Sequence, residues 1–306
     1  MALRPHARRS GFAAPLSFLL RQIIAAGYVH AGYKDASPWR NVARINHSND
    51  TFTNLGDVLQ YIHAYAGGFS NADKAWITRG VPNWLPATTN VSTFNMRTET
   101  TFGGNYSAPE AIADCDGMWQ EQLRGWMYAH GASSNRMRFN LVTEAWISSL
   151  GGNLTSGGSG HATAAHETRG WAWADGNTSS NARSTTFATE TEAVTNVYGN
   201  YGQQKGISSK LSYVYAGNEG DYAGGNNLRR FNVATETNVG NVAKPIGNSG
   251  EENFDMGQEK QFMAGMYNGL QNTRSWRFNY TTDSGYEITG PAGTPGRSSG
   301  YCSWRS

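Results

Sequence analysis

Phe94-Asn95-Met96-Arg97-Thr98-Glu99 and Phe139-Asn140-Leu141-Val142-Thr143-Glu144 are two copies of one short element, and its recurrence decides the fold. The other copies are Ile45-Asn46-His47-Ser48-Asn49-Asp50, Thr185-Thr186-Phe187-Ala188-Thr189-Glu190, Phe231-Asn232-Val233-Ala234-Thr235-Glu236 and Phe278-Asn279-Tyr280-Thr281-Thr282-Asp283. Their first positions are spaced 49, 45, 46, 46 and 47 residues apart. A carboxylate closes all six copies, Thr precedes it in five, and Asn holds the second place in five. Self-similarity at such a period marks a repeat architecture.

Upstream of each copy stands an aromatic residue, a short apolar run and a glycine. These are Tyr28 to Gly32, Trp76 to Gly80, Trp126 to Gly131, Trp171 to Gly176, Tyr213 to Gly217 and Phe262 to Gly265. Polar stretches rich in Gly, Asn and Ser separate the two elements, as in 132–136 and 218–227. An apolar strand, a turn and a second strand make a β-hairpin, so each repeat carries at least one.

The Asn-x-x-Thr-Glu end has its own local chemistry. Asn and Thr side chains bond backbone groups two residues on and so stabilise a turn. The carboxylate can then accept from backbone N–H groups of its own or a neighbouring repeat. Arg44, Arg138, Arg230 and Arg277 precede the element in four copies, which offers guanidinium partners as well. Six carboxylates at one phase could instead form a ring of catalytic or metal-binding groups. The structural reading is preferred, because folding needs the same contact in every repeat whereas catalysis needs one asymmetric constellation.

A repeat of about 46 residues has room for four short strands, the size of a propeller blade, and six copies fill residues 27–306. A solenoid of hairpins is the competitor, but it should end in atypical polar caps, and here the terminal copies are regular. Ser298-Ser299-Gly300-Tyr301 echoes the run that leads into repeat five, so the Tyr301–Trp304 segment reads as a spare strand able to complete blade one. The expected fold is therefore all-β: a six-bladed β-propeller over 27–306 with a short N-terminal helical arm over 1–26. In that arm Leu16, Leu19, Leu20, Ile23 and Ile24 recur at helical spacing. Arg4, Arg8 and Arg9 followed by the apolar stretch Phe12 to Leu20 loosely resemble a signal peptide, but Pro15 interrupts the stretch and Arg21 and Gln22 close it. The segment is expected to stay on the chain, docking on a neighbour or covering the propeller itself.

Composition agrees with short strands and many turns. The 306 residues include 37 Gly, 10 Trp and 15 Tyr, and only 16% are charged. A formal net charge of +2 gives no concentrated basic surface, so neither nucleic acid nor an anionic membrane is an expected partner. Nothing approaches the roughly 20 apolar residues that span a bilayer. Of the 25 basic residues 19 are Arg, the side chain better suited to forked hydrogen bonds with fixed partners. Cys115 and Cys302 are too few for a disulfide framework; a bridge between them is possible in a closed ring, and two buried thiols are the simpler reading.

The strand–glycine–strand pattern ending in Asn-x-x-Thr-Glu resembles the kelch hairpin, although the usual double glycine is mostly absent and the carboxylate is placed differently. The run Gly27-Tyr28-Val29-His30-Ala31-Gly32-Tyr33-Lys34-Asp35-Ala36-Ser37-Pro38-Trp39-Arg40-Asn41-Val42, followed by Thr53-Asn54-Leu55-Gly56-Asp57, resembles structural proteins of contractile-tailed phages that infect cyanobacteria. The later repeat units match that group too, so the likeness covers most of the chain. It implies a virion location and a role in the tail, baseplate or neck, and it carries over no functional residues.

Two functions follow as expectations. The first is a non-enzymatic virion component that docks other virion proteins in multiple symmetric copies, with residues 1–26 as one contact. The alternative is a propeller that binds or cleaves host-surface glycans. Trp39, Trp84, Trp119 and Trp146 could stack on sugar rings, but burial as blade anchors is the commoner use of such residues. A sialidase-type Ser-x-Asp-x-Gly-x-x-Trp turn is absent from the sequence. His161 and His166 lie five apart, outside the helical zinc spacing, and neither Cys is near them in sequence. The glycine-rich segments 151–160 and 220–226 lack the Gly-Lys-Ser/Thr of a phosphate loop and read as blade-tip loops. No catalytic, cofactor-binding or metal-binding residue is expected.

Overall fold

The computed structural model describes residues 26–30, 33–34, 37–38, 40–46, 48–62, 67–71, 73–78, 88–104, 106–112, 114–121, 124–130, 136–147, 161–166, 168–174, 182–195, 207–208, 213–217, 227–232, 234–243, 253–256, 260–264, 274–279, 282–289 and 302–305. Among them the protein is all-β, without a helix. The expected arm helix and the glycine-rich segments 151–160 and 220–226 lie outside the described residues. The first strand begins at Ala26, one residue before the expected start of the repeat region.

Six sheets of four antiparallel strands follow one another along the chain. Sheet two consists of Gly67–Ser70, Lys74–Thr78, Thr88–Asn95 and Ser107–Ile112. Sheet three runs Asp114–Glu121, Arg124–His130, Arg136–Asn140 and Ala145–Ile147. Sheet four runs His161–His166, Arg169–Ala174, Ala182–Thr186 and Thr191–Thr195. Sheet five runs Ile207–Ser208, Tyr213–Gly217, Asn227–Asn232 and Thr237–Ala243. Sheet six runs Asn253–Met256, Lys260–Ala264, Arg274–Asn279 and Ser284–Thr289.

Sheet one is built differently. Its second to fourth strands are Ala26–His30, Asn41–Asn46 and Thr51–Asp57, but its first is the C-terminal Cys302–Arg305. The pairing runs from Ala26 opposite Arg305 to Val29 opposite Cys302. The spare strand expected at the C-terminus therefore completes the first sheet. A small ladder of Tyr33–Lys34 with Ser37–Pro38 decorates the link between its second and third strands.

The burial pattern explains why the sequence alternates so poorly in mid-sheet. The strand Asn41–Asn46 is buried at four of its six positions, and in sheet two the run Ala75 to Thr78 is buried throughout. Such strands are covered on both faces. The fourth strand of sheet one, Thr51–Asp57, has only exposed and half-buried positions and none buried. Burial thus fades toward the fourth strand.

Where the packing is described, what covers a sheet is the next sheet. Tyr28, Val42 and Leu59 pack with Ala75, Ile77, Phe94 and Met96 between sheets one and two. Phe69, Trp76, Val91 and Ala108 pack with Met137, Phe139 and Leu141 between sheets two and three. The pairing of a second-strand aromatic with a third-strand Phe of the following sheet recurs: Tyr28 with Phe94 at 5.2 Å between ring centres, Trp76 with Phe139 at 5.1 Å, and Trp171 with Phe231 at 5.6 Å. Each buried aromatic contributes up to about 3 kcal/mol of apolar burial. The first strands touch in sequence from Gly67–Ser70 through Asp114–Glu121, His161–His166, Ile207–Ser208 and Asn253–Met256 to Cys302–Arg305, which touches Gly67–Ser70 again.

Candidate functional site

The recurring element is the hairpin between the third and fourth strands of each sheet. Asn95 is the last residue of its strand, and its side-chain oxygen accepts from the backbone N–H of Arg97 at 2.9 Å and of Thr98 at 3.1 Å. Asn140 binds the N–H groups of Val142 and Thr143 in the same way, and Asn232 those of Ala234 and Thr235. Asn46 accepts from Ser48 and Asn279 from Thr282. The Thr before the carboxylate bridges across it, hydroxyl to hydroxyl, as in Thr98 to Thr100 at 2.8 Å and Thr235 to Thr237 at 2.7 Å. In the first copy Asn49 stands in the Thr place and accepts from the Thr51 hydroxyl at 2.7 Å.

The carboxylate residue closes the turn in the left-handed region. Asp50, Glu99, Glu144, Glu190, Glu236 and Asp283 have φ between 50° and 57°, and among the described residues they are the non-glycine residues with positive φ. That conformation costs an L-residue roughly 1–2 kcal/mol. Glycine would relieve it, yet all six positions keep a carboxylate.

The reason lies in the neighbouring sheet. Arg44 of sheet one meets Glu99 of sheet two at 2.6 Å, and Lys74 of sheet two meets Glu144 of sheet three at 2.5 Å. Arg124 of sheet three reaches Glu190 of sheet four at 2.8 Å, and Arg138 pairs with the same carboxylate. Arg169 of sheet four meets Glu236 of sheet five at 2.5 Å. Arg230 of sheet five pairs with Asp283 of sheet six. Finally Arg277 of sheet six meets Asp50 of sheet one at 2.6 Å. Every carboxylate is held by a cation from the preceding sheet, and the six pairs return to their starting point.

Tyrosines join three of these pairs. The Tyr28 hydroxyl donates to the Met96 carbonyl at 2.8 Å and lies 3.3 Å from Glu99. Tyr106 donates to Glu144, and Tyr286 to Asp50 at 2.9 Å. Burial works to raise the Glu144 carboxyl, but hydrogen bonds from Lys74 and Tyr106 and the Lys74 charge outweigh it, holding the group below its ordinary range. Burial, reinforced by the bond to Glu144 and its charge, pushes the Tyr106 phenol up to about 12.

The four arginines singled out from sequence all take part, each serving the carboxylate of the next repeat. Lys74, Arg124 and Arg169 were not foreseen. They lie on second strands, where Lys74 is opposite Asn95, Arg124 opposite Asn140 and Arg169 opposite Thr186. In sheets two and four the third-strand position used by Arg44 elsewhere is occupied by Thr93 and Ser184, and there the second strand supplies the cation instead. Only the hairpin register makes that exchange visible.

Chemically this ring is a clasp. A general base or a metal ligand must present lone pairs to a ligand, whereas each of these carboxylates is engaged by a cation, and three of them by a phenol as well. Among the described residues no group of three or more His, Cys, Asp or Glu is placed to hold a metal ion, and no helix is long and apolar enough to cross a membrane. His161 and His166 open and close one strand. Trp146 packs edge-on against Phe69 at 5.6 Å and Phe139 at 5.0 Å, the anchoring use expected of it. Trp39 and Trp84 lie outside the described residues, and Trp119 falls in the first strand of sheet three. Cys115 and Cys302 fall in the first strands of sheets three and one.

No protein-family model matches this chain, and no curated protein is similar to it. The functional reading rests on the residues themselves.

Proposed function

We propose that the six sheets are the blades of a six-bladed β-propeller, kelch-like in its hairpins, that serves as a non-enzymatic structural protein of a phage virion. In this reading the protein sits in the tail, baseplate or neck and docks neighbouring virion proteins as a rigid disc. The observation that carries it is the cycle of six directional ion pairs. Each pair links one sheet to the next, and the last leads back to the first. The unbroken succession of first-strand contacts supports the same closure. Repetition of one contact in every blade is what rigidity requires, whereas catalysis needs one asymmetric constellation. The likeness of 27–42 and 53–57 to structural proteins of cyanobacterial contractile-tailed phages supports the virion role.

Mass spectrometry of purified virions tests it directly. The chain should be found at a copy number that matches the particle's symmetry, with interfaces of at least about 1,000 Å² in a density map of the particle. Absence from purified virions, together with saturable binding or cleavage of an envelope polysaccharide, would overturn the structural role in favour of glycan recognition.

A further inference from the structure

We propose that Asp50, Arg277 and Tyr286 form a latch that keeps the two ends of the chain in one ring, and that its release lets the C-terminal strand pair with a second copy of this protein. The inference rests on the closed ring proposed above. Sheet one is the sheet assembled from both chain ends: Cys302–Arg305 lies against Ala26–His30 by backbone pairing, with no turn joining them. In sheets two to six the first and second strands are consecutive along the chain, as Asp114–Glu121 and Arg124–His130 are in sheet three. The contacts that bridge the break in the chain include the pairing of those strands, the approach of Cys302–Arg305 to Gly67–Ser70 and of Asn253–Met256 to Ala26–His30, and the grip of sheet six on Asp50.

That grip holds the most shielded carboxylate of the six. The Arg277 guanidinium lies 2.6 Å from Asp50 and the Tyr286 hydroxyl donates to the same carboxylate oxygen at 2.9 Å. Arg277 also bonds the Tyr286 hydroxyl at 2.5 Å and lies over its ring at 5.3 Å. The Asp50 side chain is 13% exposed, whereas the carboxylates of the other five pairs range from 23% to 32%. A less solvated pair is screened less and contributes more. Asp is also better tolerated than Glu in the left-handed conformation this position adopts. Asp283 shares the shorter side chain, but the least exposed carboxylate of the six falls at the junction that lacks a covalent tether.

Once the latch opens, Cys302–Arg305 leaves with sheet six, and sheet one keeps a bare edge along Ala26–His30. The same edge on a second copy offers the identical register, so opened rings can exchange C-terminal strands. The partner this surface fits is another copy of the chain.

Amide hydrogen exchange and native mass spectrometry of the full chain test the proposal. Asp50→Asn keeps the shape and tolerates the left-handed turn, so the fold is retained. It should raise exchange in Cys302–Arg305 and Ala26–His30 by about tenfold, the effect of losing charge-assisted hydrogen bonds. It should also produce dimers that increase with concentration. Tyr286→Phe, a milder change, should shift both readouts the same way by less. Glu99→Gln and Glu144→Gln, which break internal junctions, should leave the exchange of Cys302–Arg305 unchanged. Equal acceleration in all four variants, or none in Asp50→Asn and Tyr286→Phe, would overturn the latch while leaving the ring intact. Unprotected amides in Cys302–Arg305 of the unaltered protein would defeat the closed ring itself, and the latch with it.

Discussion

At the scale of single residues, the sixth position of the repeat sets backbone cost against side-chain gain. Glu99 stands at φ 57° in a turn that would take glycine without strain. Its ion pair with Arg44 is partly exposed and is worth about 0–1 kcal/mol. Glu99→Ala keeps the strain and loses the pair, so urea unfolding should show a loss of about 1 kcal/mol. Glu99→Gly loses the pair but gains back roughly 1 kcal/mol of backbone strain, so it should be clearly more stable than the Ala variant. If Ala and Gly proved equal, the left-handed turn would carry no cost here. Glu144 and Tyr106 add a pH dependence of opposite signs at the two ends of the scale. The Glu144 carboxyl is lowered in the folded state, so its contribution is present above the ordinary carboxylate range and is lost as pH falls through the folded value. The Tyr106 phenol is raised from 10.0 to about 12, so its contribution holds below 10.0 and disappears as pH rises through about 12. Ultraviolet titration should show a late-ionising tyrosine component in the folded protein, and Tyr106→Phe should reduce it by one residue's absorbance. The same variant should also flatten the alkaline limb of the stability profile.

Elements are where the sequence was most and least legible. The Asn-centred turn could be read outright, because each of its bonds is local and each partner lies within three residues. The partners of the carboxylates could not, because they depend on which second-strand residue faces Asn across the hairpin. Repeat five shows the difficulty. The sequence suggests Tyr213 as the counterpart of Trp76, but the register places Tyr215 opposite Arg230, as Trp76 is opposite Thr93, and sets Tyr213 opposite Asn232. Two aromatics two residues apart give the same pattern in one dimension, and only pairing distinguishes them. In repeat four the bulky side chain has moved instead. Thr185 takes the place held by Phe94 and Phe139, and Phe187, two residues on and buried, fills the core. Arg136, buried at the junction facing Thr185, donates to its hydroxyl at 2.9 Å and to the Glu190 carbonyl at 2.9 Å, where Val42 and Val91 are buried in sheets one and two. Close packing between elements also explains a glycine that no turn requires. A Cβ on Gly125, in the second strand of sheet three, would lie 2.4 Å from the Phe69 ring of sheet two. Gly125→Ala should therefore cost about 1–3 kcal/mol through overpacking. Adding Phe69→Leu should recover part of that loss, and a double-mutant cycle by chemical denaturation measures the coupling. Simple additivity of the two substitutions would show that sheets two and three do not meet at this point.

For the whole molecule, the decisive feature is that one sheet holds both ends of the chain. Its first strand comes from the C-terminus and the other three from the start of the repeat region, with Ala26 directly opposite Arg305. This arrangement adds backbone hydrogen bonds across the place where the chain is discontinuous, in addition to the ion pair that every junction has. Moving the discontinuity separates the two contributions. A permutant that drops 1–25, joins Ser306 to Ala26 through a short Gly/Ser linker and begins within the Gly- and Ser-rich stretch 148–160 retains every described strand pairing. Its break now falls between sheets three and four. There Arg124, Arg138 and Arg136 hold Glu190 and Thr185, but no strand crosses from one chain end to the other. Because contacts within each sheet stay local in sequence, the permutant should fold. It should nevertheless unfold faster than the natural order and melt at a lower temperature, since side-chain contacts alone now span the gap. Stopped-flow unfolding and a thermal scan under identical conditions provide the comparison. A permutant that unfolds as slowly as the natural chain would mean that the mixed sheet adds nothing to holding sheets six and one together, and that side-chain contacts between neighbouring sheets suffice.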